Sequence, residues 1–472
     1  MAMEKPRVVI LGGGFAGLTA ARQLDGERYA VTLVDGGADF EFKPNLHELV
    51  SRTKKPRSLR LPRRKLVERR GRRFVQSAAV GLDPARQEVR TAGGETVGYD
   101  ALIVALGSAV AARQVPGAAE HAHALRSVDE GVTIGARLRQ LVDEGGDVNV
   151  TIVGGGFTGV EVLGEVLRRY RQHGRLNLRL VHPHGRLLEK QPRVIHDALR
   201  DVAKELDVEL LLGESVAGLE PGRVHLASGS ALQSDLTIWT AGGSAPPLLA
   251  ESGLAPAGEW APVRRTLQSR AFENIFVAGD DAGLSKEVSK QSYQATAMGR
   301  RAAKNAMRLL AGRELKKFEP EDERLLITFG YLSGFYVDDD VVLEGGALCL
   351  AREWLFQTGM ADLDRPRRAG AGRRLRKRLG DALRVDSWPP PARVAAPFPF
   401  GRPPRDRFDA PSLPRPLEWR KARSLPEAAD ASLSVLGRLG STAGDQAPTV
   451  VDFLSAGHGS ASRWPRRRPR ES

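Results

Sequence analysis

Two glycine-rich turns have the residue types and spacing to hold a pyrophosphate. Gly12-Gly13-Gly14-Phe15-Ala16-Gly17 and Gly154-Gly155-Gly156-Phe157-Thr158-Gly159 both read G-x-G-x-x-G and lie 142 residues apart. A nucleotide pyrophosphate needs backbone N–H donors at close range and no side chain in the way. Such a turn at a helix N-terminus meets both needs, and the helix dipole adds about half a positive charge there. Gly12 makes the tight turn, Gly14 lets the phosphates approach, and Gly17 lets helix and strand pack closely; Gly154, Gly156 and Gly159 repeat these roles. One match would be weak, because glycine turns are common in α/β proteins. Two matches, each between an apolar strand and a helix, are specific.

The flanking segments must position these turns. Arg7–Leu11 (RVVIL) reads as a buried parallel strand, followed by an Ala-rich helix and the strand Ala30–Val34. Val148–Val153 (VNVTIV), a helix through Tyr170 and the strand Asn177–Val181 repeat the pattern. Continuous apolar strands predict sheets covered on both faces, so this is a duplicated fold. At the end of the second strand the copies diverge. Asp35 can accept hydrogen bonds from both hydroxyls of an adenosine ribose. In the second copy His182, Pro183, His184, Gly185 and Arg186 follow Val181, with no acid. A basic residue there suits a 2′-phosphate, with Arg186 or His182 as the contact. Loop residues facing solvent are an equal reading, so NADH and NADPH both remain open.

Between the copies, Phe74–Arg90 reads as a strand meander and Tyr99–Leu106 as a buried strand ending at Gly107-Ser108. Beyond them come Leu236–Trp239 with Thr240-Ala241-Gly242, then Ile275–Ala278 leading into Gly279-Asp280 and a helix from Gln291 to Leu310. The expected class is α/β, with two Rossmann-like dinucleotide-binding domains, the second inserted in the first. Residues 1–118 and 245–317 form the first, 119–244 the second, and 318–364 a small α+β cap. The cap is expected to hold strands near Leu325–Phe329 and Val341–Leu343 and a helix near Leu348–Phe356. Residues 365–472 form a basic, Pro/Arg-rich tail expected to be mostly disordered.

Bulk properties exclude several classes. Residues 365–472 carry +13 of the net charge of +14 and 15 of the 29 prolines, so the remaining chain is near neutral. Cys349 is the single cysteine. It excludes an intramolecular disulfide, a Cys-x-x-Cys redox pair and a thiolate zinc cage, and it suits a reducing cytoplasm. No metal site is expected. The first strand begins almost at once, so no secretory signal is read. The longest apolar run, Ala101 to Ala112, is too short to span a bilayer.

With these motifs in place, residues 6–315 resemble the two-dinucleotide-domain flavoproteins of the pyridine nucleotide–disulfide oxidoreductase superfamily. Within it the chain is most similar to the type II NADH dehydrogenases, which pass electrons from NADH to quinone. GGGFTGVE at 154–161, IWTAG at 238–242 and FEFKPNLHE at 40–48 carry that resemblance. It implies FAD in the first fold, with Asp35 on the ribose, Asp280 on the ribityl chain, and Gly107 and Gly279 in the cradle. It implies NADH or NADPH in the second, with Glu161 orienting the nicotinamide carboxamide and Gly242 nearby. Hydride then passes to the flavin, and electrons leave at a separate face near Lys43, Tyr293 and the cap. The family carries A-Q-x-A-x-Q-x-G beside the flavin, whereas residues 292–299 here read SYQATAMG. Tyr293 and Ala297 stand where glutamines would be, so NAD(P)H oxidation is implied more directly than quinone reduction.

Three functions are compatible with this reading. They are an NAD(P)H:quinone oxidoreductase on the cytoplasmic face of a membrane, a soluble reductase serving a protein or small-molecule acceptor, and a flavoprotein nucleotide-sensing or interaction module. Arg373–Val385 (RRLRKRLGDALRV) as a helix would set Leu375, Leu379 and Leu383 in a basic face suited to an anionic membrane surface. A solvated linker is the alternative. Arg466-Arg467-Arg468 would bind nucleic acid only non-specifically, for no recognisable module accompanies it. The sequence is silent on oligomeric state.

Overall fold

Predominantly apolar strands form two parallel sheets, each centred on the strand that precedes a glycine turn. A computed structural model describes residues 4–364 apart from 111–114, 287, 322 and 339–340. The expectations for Arg373–Val385 and Arg466–Arg468 lie outside the described residues. The main elements are β1 (Arg7–Leu11), α1 (Phe15–Gln23), β2 (Ala30–Asp35), α2 (His47–Val50), β3 (Arg73–Gln76), β4 (Ala101–Val104) and α3 (Val128–Glu144). Then come β5 (Val148–Val153), α4 (Phe157–Tyr170), β6 (Leu176–His182), β7 (Glu209–Leu212), β8 (Leu236–Trp239), β9 (Ile275–Val277) and α5 (Ser292–Leu310).

The first sheet has the order β9-β4-β1-β2-β3, with all pairs parallel. The second has the two-residue strand His123–Ala124 at one edge, then β8-β5-β6-β7, again parallel. Strands β4 and β5 are buried at every residue, as expected where helices cover both faces. In each sheet the chain leaves the central strand to one side and later returns on the other. Leu11 pairs with Val34 and Val104, and Val153 pairs with Val181 and Trp239. The glycine turns therefore open at the switch points, where parallel sheets bind ligands outside the carboxyl ends of their strands.

Small residues set the close approach of helices over the first sheet. Ala16, Gly17, Ala20 and Ala21 on α1 are buried, and a Cβ on Gly299 of α5 would collide with the Ala16 carbonyl. The family-motif glycine Gly299 thus has a packing reason.

The described chain forms two units, residues 4–323 with 360–364 and residues 324–359. In the smaller, β10 (Arg324–Phe329), β11 (Ser333–Asp338) and β12 (Val341–Glu344) form an antiparallel sheet, followed by α6 (Ala347–Asp364). Tyr336, Leu326, Leu348 and Ala351 form its core.

One local expectation is corrected, and two details of the small unit are added. Arg73–Gln76 belongs to the parallel sheet beside β2, and the meander proper is Ala79–Asp83, Glu88–Thr91 and Thr96–Gly98. A short apolar run looks the same in either setting. The central strand of the small unit, β11, was masked in sequence by Ser333-Gly334. Helix α6 runs past Phe356 because Gly359 does not break it.

Gly299→Ala is expected to lower stability by about 1–3 kcal/mol through overpacking against α1. Denaturant unfolding checks this, and an unchanged midpoint would contradict the packing account.

Candidate active site

Each glycine turn is pinned by a side chain at the end of the second strand. Gly12 N–H donates to the Val34 carbonyl and Gly154 N–H to that of Val181, both at 2.9 Å. The next N–H donates to a side chain: Gly13 to Asp35 Oδ2 at 2.6 Å, and Gly155 to His182 Nδ1 at 3.0 Å. Gly12 and Gly154 hold φ of +94° and +112°, where a Cβ would be strained and would also meet the neighbouring strand's backbone. Gly17 and Gly159 lie against the carbonyls of Gly12 and Gly154. By contrast, a Cβ on Gly14 or Gly156 would have nothing within 4 Å. Both positions border open space, so the turns have room for a phosphate where the sequence places it. Phe15 packs edge-on against Phe40, centroids 5.0 Å apart, Ala16 is buried, and Thr158 is half-buried in the first turn of α4.

Around the first turn, Asp35 does more than the sequence indicated. Its Oδ1 accepts from Gly37 N–H at 2.8 Å and from Arg63 Nη1 at 2.7 Å. The Arg63 guanidinium also donates to the carbonyls of Gly13 and Gly37. Burial pulls its pKa down, and Asp35 opposes that. Arg63 lay hidden in an Arg/Lys-rich run, and only its register in that run separates it from solvated neighbours.

On the other side of the switch point, Gly107 and Gly279 take left-handed φ of +74° and +98°. Ser108 Oγ donates to Asp280 Oδ2 at 3.2 Å, and Arg126 Nη2 donates to Ser108 Oγ at 2.6 Å. Lys43 faces the same cluster. It is open to water within the cleft, yet the surrounding protein lowers its pKa, Arg126 adds to that, and Asp280 opposes it. Asp281 is wholly buried and accepts from Leu106 N–H at 2.8 Å. Burial pushes its pKa up to about 7, and the Leu106 N–H works against the shift. Arg126 and Asp281 were missed; Asp281 follows a motif aspartate directly, which was its one signal.

Around the second turn, Thr240 Oγ1 donates to the carbonyls of Val153 and Gly154, at 2.8 and 3.2 Å, and Gly242 has φ of +62°. Glu161 lies in the first turns of α4, is buried, and has Oε2 3.3 Å from His47 Nδ1 of α2. One turn on, Glu165 accepts from Ser51 Oγ and pairs with Arg168 at 3.3 Å. Glu161 is thus anchored to the first fold, a link unseen in sequence although His47 sits within FEFKPNLHE. Arg186 donates to the carbonyls of Gln191, at 3.2 Å, and Glu189. Its guanidinium braces its own loop and is partly committed.

Tyr293 is half-buried in the first turn of α5. Gln294 is buried and spans the Glu321 backbone, donating from Nε2 at 2.7 Å and accepting at Oε1 at 3.2 Å. Gln291 precedes the helix as its N-cap residue.

These features fit FAD in the first fold: an open phosphate turn, an acid at the strand end and an acid–hydroxyl–guanidinium chain at the switch point. Residues 6–300 match the pyridine nucleotide-disulphide oxidoreductase family. The chain belongs to that family. It is similar to demethylphylloquinone reductase NdbB of Synechocystis, 28% identical over 381 residues, covering 75% of this chain and 92% of that protein. It is also 27% identical over 375 residues to the type II NADH:quinone oxidoreductase of Haemophilus influenzae, covering 68% and 84% of the two chains. NDH2 of Plasmodium falciparum, solved in complex with NADH, shares the fold with a TM-score of 0.70 at 15% identity, covering 81% of this chain and 99% of that one. As a member of the family this protein has no redox disulfide of its own, since Cys349 is its one cysteine. Among the described residues, no helix is long and apolar enough to cross a membrane.

Two histidines make the second fold acid-sensitive. His182 and His196 accept backbone N–H groups through Nδ1, from Gly155 at 3.0 Å and Leu187 at 3.1 Å. Burial lowers both pKa values below the usual 6.5, with His184 adding to the shift at His182. The unfolded chain then takes up protons first, so stability present above about pH 6.5 is lost as pH falls toward the lower folded values. Dinucleotide binding is expected to weaken as pH falls below about 6.5. A binding titration across that range checks this, and binding that stays constant down to about pH 5 would contradict it.

Proposed function

We propose that the protein oxidises a reduced nicotinamide dinucleotide held by the second fold, through FAD held by the first, and delivers the electrons to a quinone. The observation that carries this reading is the duplicated pinned turn, with a carboxylate pin in one copy only. Asp35 is suited to a ribose with free hydroxyls, and the Asp280–Ser108–Arg126 chain borders the same switch point. FAD, when bound, supplies a hydride acceptor that can release the electrons again.

The chain's own residues position and shield. Residues 1–118 and 245–317 hold the flavin and residues 119–244 the dinucleotide. Asp280 binds the ribityl hydroxyls, with Ser108 and Arg126 fixing its carboxylate. Glu161, braced by His47, orients the nicotinamide carboxamide. Lys43 and Arg126 lie near Asp280, and their positive charge would favour a reduced, anionic flavin held there. Tyr293 borders the acceptor side. The choice of quinone rests on the likeness to relatives named as quinone reductases.

Anaerobic mixing with NADH or NADPH is expected to bleach the flavin, and a soluble quinone is expected to restore its colour within turnover time. Bleaching followed by reoxidation only by a soluble redox protein would overturn the quinone assignment. A protein unable to bind FAD would overturn the whole reading.

A further inference from the structure

The two pins are equivalent atom by atom, and their chemistry is opposite. Asp35 ends β2 and His182 ends β6; each takes the N–H of the middle glycine, and the preceding glycine N–H goes to the penultimate strand residue in both. A backbone N–H can only donate, so His182 Nδ1 is an acceptor and the imidazole proton sits on Nε2. Among the described residues His182 is hydrogen-bonded through Nδ1, which leaves the Nε2–H to a ligand. A carboxylate at this place would accept from a ribose 2′-hydroxyl. An N–H cannot, but it can donate to a phosphate oxygen.

The following loop is net basic. Residues 182–191 contain His182, His184, Arg186 and Lys190 against one acid, Glu189. Glu189 is engaged by His184 Nδ1 at 2.9 Å. Among the described residues Arg186 is held by the Gln191 and Glu189 carbonyls, so its charge is fixed in place. The loop also folds back on the turn, since Leu188 N–H donates to the Gly155 carbonyl at 2.9 Å. It is therefore anchored beside the strand end, where an adenosine ribose would lie.

We propose that the second fold selects the dinucleotide that carries a 2′-phosphate, NADPH over NADH. His182 Nε2–H donates to the phosphomonoester, and Arg186 supplies fixed positive charge beside it. This rests on the reading that the second fold binds the nicotinamide substrate. The first fold shows what a swap would do: an aspartate in the pin position still takes the glycine N–H. His182→Asp thus keeps the turn while replacing the phosphate donor with a repelling charge.

The test is calorimetric binding of NADP+ and NAD+ to the flavin-loaded protein, with kcat/KM for NADPH and NADH measured beside it. The wild type is expected to favour the 2′-phosphorylated form by about tenfold or more, and His182→Asp to reverse the order. His182→Ala, which removes the pin itself, is expected to weaken both dinucleotides without reversing them. Equal or tighter NAD+ binding by the wild type, or an unchanged ratio in His182→Asp, overturns the inference alone. Binding of neither dinucleotide overturns it together with the function it rests on.

Discussion

The structure depends on one repeated hydrogen bond, from the middle glycine of a phosphate turn to the side chain ending the next strand. Without it the turn has a free N–H and no fixed distance to the strand end. With it, the pyrophosphate donors and the ribose contact become one rigid unit. Asp35 and His182 make the same bond, so turn geometry is preserved while local charge changes. The carboxylate then requires compensation, and Arg63 supplies it from the segment following α2. The imidazole requires none, and the corresponding space is taken by Leu187, which packs against Gly155.

Everything else converges on these two units. Parallel strands bring β4 and β9 to one flank of the first turn, so Ser108 and Asp280 meet although 172 residues separate them. Helices α1 and α5 can approach because Gly299 has no side chain to strike the Ala16 carbonyl. Helix α4 starts at the second turn and reaches α2 through Glu161–His47 and Glu165–Ser51. Buried carboxylates are costly unless paired, so these contacts tie the second fold to the first where substrate and cofactor would meet.

Much of the fold was legible in the sequence because it follows from local pattern. Apolar strands such as RVVIL and VNVTIV, followed by glycine turns and helices, specify strand–helix–strand units almost unaided. Residues with non-local partners were not legible. Arg63 looks like any other arginine in a basic run until the fold sets it on Asp35. Asp281 meets the Leu106 N–H only when β4 and β9 pair, and Arg126 acquires meaning only beside Ser108. The strand Ser333–Asp338 was hidden by Gly334, whose small size is needed beneath Leu348. The hold that the Gln191 and Glu189 carbonyls have on the Arg186 guanidinium is likewise something no spacing rule reveals.

The central claim is that the two turns bind different nucleotides by the same geometry. Gly14→Val and Gly156→Val separate them, because a Cβ at either position meets no protein atom within 4 Å and enters the open space beside the turn. The deciding measurement is bound flavin per purified chain. The account predicts that Gly14→Val loses its flavin, whereas Gly156→Val keeps a full complement that NAD(P)H no longer bleaches. Flavin retained in Gly14→Val, or lost equally in both, would contradict it.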